Sequence, residues 1–388
     1  MKAIENKRFH LDKILAALCV GTLVSTGALI STSALADKDV DIDMRYGNDS
    51  NPHKLADTLS PKSESYVATN VAYSANNKEI YFKAELDSES YSDSTADVTT
   101  IDLSVGYESD FKLKGTPYKY DVSLDYKIRD KTFVSNSTGQ EASSGGQLIG
   151  DRFDSDTLDF NAEATYVAKS NLIYDLSYQF RSKSYEDFSA LGLTNLDYSQ
   201  HEIGLDMEYP TSDQVKFLTA IHYRMREYDN REAKDLTGAF IANTNLEYDY
   251  VDFEFGFLSK VGKTRWKTTI GQTNRSDNEL GYYDSSSLNF DISVRHKFGK
   301  KHTFRADFKY KDYEYDNRVD INQVTLNEET KARDGWSLDL DYQFPVTKWS
   351  KRTVYMYVEL TTDDYDSTNP IFAYSKNNIG VGFRWAPM

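Results

Sequence analysis

Apolar and polar residues alternate along this chain in about sixteen separate stretches. Asp121-Val122-Ser123-Leu124-Asp125-Tyr126 shows the pattern, as do Leu288-Asn289-Phe290-Asp291-Ile292 and Trp336-Ser337-Leu338-Asp339-Leu340-Asp341-Tyr342. A period of two belongs to strands with one apolar face and one polar face. It predicts strands at 40–46, 66–73, 80–86, 99–107, 118–128, 158–166, 172–180, 202–209, 215–225, 246–257, 264–272, 288–298, 303–310, 336–344, 353–360 and 378–385. Many approach the ~9–11 residues that a tilted strand needs to cross hydrocarbon.

The connectors alternate too. Short, turn-like ones are Ala75-Asn76-Asn77-Lys78, Lys169-Ser170, Pro210-Thr211-Ser212-Asp213, Lys260-Val261-Gly262-Lys263 and Gly299-Lys300-Lys301. Between them fall long polar segments at 47–65, 87–98, 129–157, 181–201, 226–245, 273–287, 311–335 and 361–377. Outer-membrane barrels have this asymmetry, with short periplasmic turns, long extracellular loops and an even strand number. A sandwich or propeller has no reason to sort its connectors this way.

The first residues change what the apolar faces mean. Lys2, Lys7, Arg8 and Lys13 precede an apolar run that ends in Ser33-Ala34-Leu35-Ala36, a small-residue cleavage site. This reads as a secretory leader over 1–36 with the mature chain at 37–388. Cys19 invites a lipoprotein reading, but Leu18 stands before it where lipid attachment needs a small residue. Cys19 is the one cysteine, so the mature chain has no disulfide framework. No later stretch is a membrane helix, so any spanning structure is a closed barrel, which satisfies its own backbone in lipid. A soluble all-β fold, with the apolar faces as its core, is the alternative.

The formal net charge is −16, and loss of the leader makes it more negative. That argues against nucleic acid, which needs a basic footprint. A negative mean hydropathy with 27% charged residues would suggest disorder, but 29 Tyr and 20 Phe sit in step with the alternation. Strands running toward the short turns end in Tyr73, Tyr107, Tyr166, Tyr209, Phe298, Phe344 and Trp385. Rings with an apolar body and a polar tip collect at membrane interfaces, which predicts a girdle there.

The last strand, Ile379-Gly380-Val381-Gly382-Phe383-Arg384-Trp385, resembles the C-terminal signature of Gram-negative outer-membrane barrels, although Ala386-Pro387-Met388 follow its aromatic. Tyr46-Gly47-Asn48-Asp49-Ser50-Asn51-Pro52 resembles the first strand and loop of a family of outer-membrane porins, some of whose members sit in exopolysaccharide loci. The resemblance implies a porin-like barrel in the outer membrane, inserted by the barrel-insertion machinery, with a homotrimer as the expected assembly. Its partners would be outer-membrane lipid, lipopolysaccharide and small polar solutes or a polysaccharide.

If the apolar faces meet lipid, the other faces line an interior. Asp121, Asp125, Asp159, Glu163 and Asp206 would form an acidic wall. Arg265, Lys267, Arg295, Lys297, Arg305 and Lys309 would form a basic one, and His222 and Arg224 also point inward. In a ring of sixteen the two walls face each other, and such walls set ion selectivity. Simple pairing between neighbouring strands is the competing reading. Few inward aromatics are expected (Tyr81, Tyr355 and Tyr357), which favours diffusion of small solutes over a sugar conduit. The Gly/Ser-rich run Ser143-Ser144-Gly145-Gly146-Gln147 reads as flexible surface, with a pore constriction as the alternative.

The histidines are scattered, without metal-ligand spacing or a serine partner. No catalytic residue, metal or cofactor is therefore expected. The expectation is an all-β, closed antiparallel transmembrane barrel of about sixteen strands. A channel for small polar or charged solutes is the leading function. Polysaccharide export, a surface-binding barrel and an outer-membrane hydrolase are the rivals.

Overall fold

Each of the sixteen alternating stretches is a strand, and most are longer than their apolar pattern. The computed structural model describes residues 37–77, 79–113, 116–135, 138–299, 301–321, 328–349 and 352–386. The expected leader lies outside the described residues. The strands are β1 (Asp37–Asp49), β2 (Glu64–Asn77), β3 (Ile80–Tyr91), β4 (Val98–Leu113) and β5 (Thr116–Lys131). A loop hairpin of two residues per strand follows, β6 (Ser143–Ser144) and β7 (Gln147–Leu148). Next come β8 (Ser155–Val167), β9 (Ile173–Tyr185), β10 (Tyr198–Pro210), β11 (Val215–Tyr228), β12 (Glu247–Val261) and β13 (Thr264–Asp277). The remainder are β14 (Ser285–Phe298), β15 (His302–Ile321), β16 (Glu328–Trp349), β17 (Arg352–Ser367) and β18 (Tyr374–Ala386).

All except β6 and β7 pair antiparallel with their neighbours in one closed ring, and β1 pairs with β18. Closure removes the two sheet edges that an open sheet would leave unpaired. The seam runs from Ile42 opposite Trp385 to Asp49 opposite Asn378.

Alternation sorts the faces as expected. Outward residues such as Leu176 and Ile203 (each 55% exposed) and Phe255 (52%) form an apolar band, with Met44, Val105, Leu124 and Ile270 also exposed. A soluble monomer rarely exposes contiguous apolar surface beyond a few hundred Å². This band is a surface for hydrocarbon. Rings collect at its short-turn edge. Tyr107, Tyr120, Phe111, Tyr118, Tyr166 and Tyr174 form a chain with successive centroids 5.2–6.0 Å apart. Trp349 and Trp385 stand 5.6 Å apart on the other side of the ring.

The long connectors are shorter than expected. The segment expected as a loop at 311–335 is strand up to Ile321 and again from Glu328. The segment at 361–377 is strand except for 368–373, where a single 3-10 turn sits (Pro370–Phe372). The reason is physical. Beyond the apolar band the outward positions turn polar, as with exposed Asp312, Glu314 and Asp316 on β15, so the alternation stops while the ladder continues. The acidic runs Asp312–Asp316 and Asp363–Asp366, which lie inside those two expected connectors, are strands. In the 132–154 connector the Gly145-Gly146 tip is exposed, with open space around both glycines. A different part of that connector turns inward on its neighbours, and Gly139 packs close to the buried Leu55 of the β1–β2 loop.

Candidate functional site

The interior wall is where chemistry-bearing side chains converge. The register puts all thirteen residues expected there on the inward face. Asp121 stands directly opposite Glu163, and Asp125 opposite Asp159, between β5 and β8. Asp206 stands opposite Asp175 between β10 and β9. On the other side, Arg265 stands opposite Arg295 and Arg295 opposite Arg305, across β13, β14 and β15. Like charges directly opposed in a sheet are destabilising. Their segregation onto two arcs is a cost that packing alone does not explain. In the ring, β5 and β15 are eight strands apart, so they lie across the lumen from each other.

The basic arc borders a recess of about 410 Å³ lined by Arg265, Lys267, Arg295, Arg305 and Arg384, with Asp341 as a carboxylate and Gln343 and Thr303 as neutral hydrogen-bonding groups. Of the first four cations only Arg305 has a carboxylate within 4.0 Å among the described residues, Asp307 at 2.5 Å. Lys297 stands opposite Thr303 at the short-turn rim, and Lys309 opposite Asp291.

The acidic arc is partly neutralised. Arg181 grips Asp159 with two hydrogen bonds of 2.7 and 3.0 Å. Asp125 accepts from Asn161 at 2.6 Å and Asp121 from the Tyr81 hydroxyl at 3.0 Å. His222 sits between two carboxylates, its Nδ1 3.1 Å from Glu202 and its Nε2 3.3 Å from Asp206. Arg224 bonds Asp252 at 3.2 Å and lies over the Tyr250 ring. Cross-strand pairing therefore accounts for these contacts and also gives Arg305 an acidic neighbour, Asp341 on β16, while Arg265 and Arg295 fall outside it.

Other interior residues were not singled out by sequence. Arg45 forks between Glu359 (2.6 Å) and Glu89 (2.9 Å), joining β17 and β3 across β1. Arg384 bonds Asp43 at 2.7 Å, and Tyr357 donates to the same carboxylate. These contacts staple the seam. Above them Asp49, fully buried, pairs with Lys376 at 2.6 Å. Asn51 accepts from the Leu55 amide and donates to the Ser375 carbonyl at 3.1 Å, latching the first loop to the last strand. The turn-like run Asp49-Ser50-Asn51-Pro52 is thus a clasp.

The expectation of few inward aromatics is overturned. Besides Tyr81, Tyr355 and Tyr357, the inward register holds Tyr66, Tyr91, Tyr185, Tyr198, Tyr228, Tyr248, Tyr250, Tyr313, Tyr315, Tyr365 and Tyr374. Most lie where strands extend beyond the apolar band, in segments that read as loops. Some rings lie flat over a glycine of the next strand. A Cβ at Gly106 would collide with the Tyr81 ring, and one at Gly335 with the Tyr365 ring.

No protein-family model matches the chain, and no curated protein matches it. Among solved structures it is similar to OccAB3 of Acinetobacter baumannii, at 11% identity over 90% of this chain and 99% of that one, with a TM-score of 0.45. It is similar to OpdO of Pseudomonas aeruginosa at 12% identity over 91% and 98%, also with a TM-score of 0.45. OmpT, an outer membrane protein of Vibrio cholerae, is similar at 11% identity over 90% and 98%, with a TM-score of 0.41.

Proposed function

We propose that the chain is a porin-like channel of a Gram-negative outer membrane, passing small polar or charged solutes along its interior wall. One observation carries the reading: a closed sixteen-strand ring with a lipid-compatible exterior and a charged interior. Rings of sixteen to eighteen strands leave an aqueous channel, whereas eight-stranded ones are filled by side chains. Among the described residues no helix is long and apolar enough to cross a membrane.

Within that reading, Asp121, Asp125, Asp159, Glu163 and Asp206 act as one wall of the path. Arg265, Lys267, Arg295, Lys297, Arg305 and Lys309 act as the opposite one, with His222 and Arg224 between. The directly opposed arginines support a transverse field, because a wall selected only for stability would alternate its signs. Charged side chains at a lumen tune selectivity without the lipid-face cost of about 2–4 kcal/mol for Arg or Lys.

Planar-bilayer recording of the refolded barrel tests both levels. Stepwise conductance in potassium chloride is expected. Replacing Arg295→Glu and Arg305→Glu together should move the reversal potential in a salt gradient toward cation preference. An unchanged reversal potential removes the field, and a folded barrel without conductance removes the channel.

A further inference from the structure

Unpaired cations also meet at the long-loop end of the lumen, on β5 and β9. Arg129 and Lys131 stand two residues apart on β5 and so share its inward face. Lys183 on β9 reaches the same patch, because only β8 separates the two strands. The register puts Ser155 of β8 opposite Arg129 and Thr157 opposite Lys183. Both are short and buried, so no long side chain of β8 stands between the cations.

Loops close this patch into a recess of about 310 Å³, at the lower end of the ~300–1,000 Å³ of small-molecule sites. Phe133 and Phe153 of the β5–β8 connector form one side, their rings edge to face at 4.5 Å. His53 of the first loop forms another, its Nε2 3.3 Å from the Thr95 hydroxyl. No carboxylate lines the recess, and among the described residues none lies within 4.0 Å of the side-chain nitrogens of Arg129, Lys131 or Lys183. Asp154 accepts from the Lys131 main-chain amide at 2.8 Å. Lys183 rests over the Tyr185 ring at 4.9 Å, a contact that leaves its charge unneutralised. Charge beyond the recess does not cancel the patch. Lys54 and Lys376 act on Lys131 as well as Glu89, and Glu89 is already held by Arg45 at 2.9 Å.

The chain has 61 acidic residues for 45 lysines and arginines, so pairing for stability alone would not leave three cations together. Three cations around one space call for more negative charge than a single carboxylate carries. A phosphate monoester supplies it, with a charge near −2 and three strong acceptor oxygens, one for each cation. Arg129 offers a planar fork and the two lysines offer point charges, and both kinds bind phosphate. The phenylalanine side has nothing to offer a bare ion, but it suits the organic part of an ester. We propose that this recess binds phosphate monoesters, the phosphate between Arg129, Lys131 and Lys183 and the organic group toward Phe133 and Phe153. The assignment rests on the channel reading and deepens it, since it names a solute class for the same lumen.

The test is calorimetric titration of the full barrel, folded in detergent at about pH 8, where a phosphate monoester is a dianion. The titrants are phenyl phosphate, phenyl sulfate, benzoate and inorganic phosphate. The first three share a ring and differ at the anionic end, and the fourth lacks the ring. Phenyl phosphate should bind about tenfold or more tightly than phenyl sulfate or benzoate, and more tightly than inorganic phosphate. Arg129→Gln and Lys183→Gln should each weaken it about tenfold. Lys263→Gln, in the β12–β13 turn at the other end of the barrel, should leave it unchanged. Heat-modifiable migration on a gel identifies the folded variants, on which alone the affinities are read. Equal affinity for any of the other three titrants would overturn the assignment. So would full binding by folded Arg129→Gln or Lys183→Gln, or an equal loss in Lys263→Gln. Conductance in plain potassium chloride needs no phosphate ester. Conductance without phenyl phosphate binding therefore removes only this site, and binding without conductance removes only the channel.

Discussion

At the scale of single residues, the interior divides into charges that are compensated and charges that are not. Asp49 is the extreme of the first kind, with 0% exposure and three partners: Lys376, the Asn51 amide at 2.9 Å and the Tyr91 hydroxyl at 3.3 Å. Removing one member of a buried pair strands the other, at a cost of about 3–5 kcal/mol. Lys376→Met should therefore lower the unfolding free energy in lipid vesicles by roughly that amount. Adding Asp49→Asn should recover most of it, and urea titration followed by tryptophan fluorescence measures both. Lys376 looked like an ordinary loop lysine in the sequence. Its partner is more than three hundred positions away, and no local pattern announces such a contact. The arginines of β13, β14 and β15 were legible as inward residues from alternation. That they directly oppose one another was not, because opposition depends on the register that each hairpin turn sets.

At the scale of the strand, adjacent residues on β11 provide a sharp test of the two faces. Ile221 points outward and is exposed, whereas Ala220 points inward between Asp206 and Glu254. Ile221→Arg should destabilise the folded barrel by about 2–4 kcal/mol if that position sits near the midplane of the bilayer. Ala220→Arg should cost much less, since two carboxylates receive it. Refolding yield against urea concentration in vesicles of fixed chain length separates the two, and equal costs would contradict the face assignment. All sixteen barrel strands were legible because lipid demands an apolar residue at every second position. Their extensions were not, since above the bilayer water accepts Asp312 or Asp364 on the outer face as readily as it would in a loop. The same blindness hid Tyr313, Tyr315 and Tyr365, which are inward on those extensions. The reading that few rings face the lumen failed for this reason.

At the scale of the whole molecule, the leader and the ring make a joint prediction about the exported form. Protein recovered from the outer-membrane fraction should begin at Asp37, and intact-mass measurement checks this. A mass that includes residues 1–36 would count against cleavage and leave the leader reading without support. The facing of an acidic arc by a basic one is also a whole-molecule property. It follows from the strand count, because only in a ring of sixteen do β5 and β15 lie opposite. The seam carries a different consequence. Asp43 and Arg384 are 341 positions apart, yet their strands are neighbours. Every other barrel pairing joins strands consecutive in the chain, apart from the loop hairpin between β5 and β8, and can zip up hairpin by hairpin. Closing the ring has to bring together β1 and β18, the contact with the greatest loop-closure entropy and the slowest kind to form. The Asn51 and Asp49 clasp forms only after that step, so it belongs to the lifetime of the closed barrel and not to the speed of its assembly.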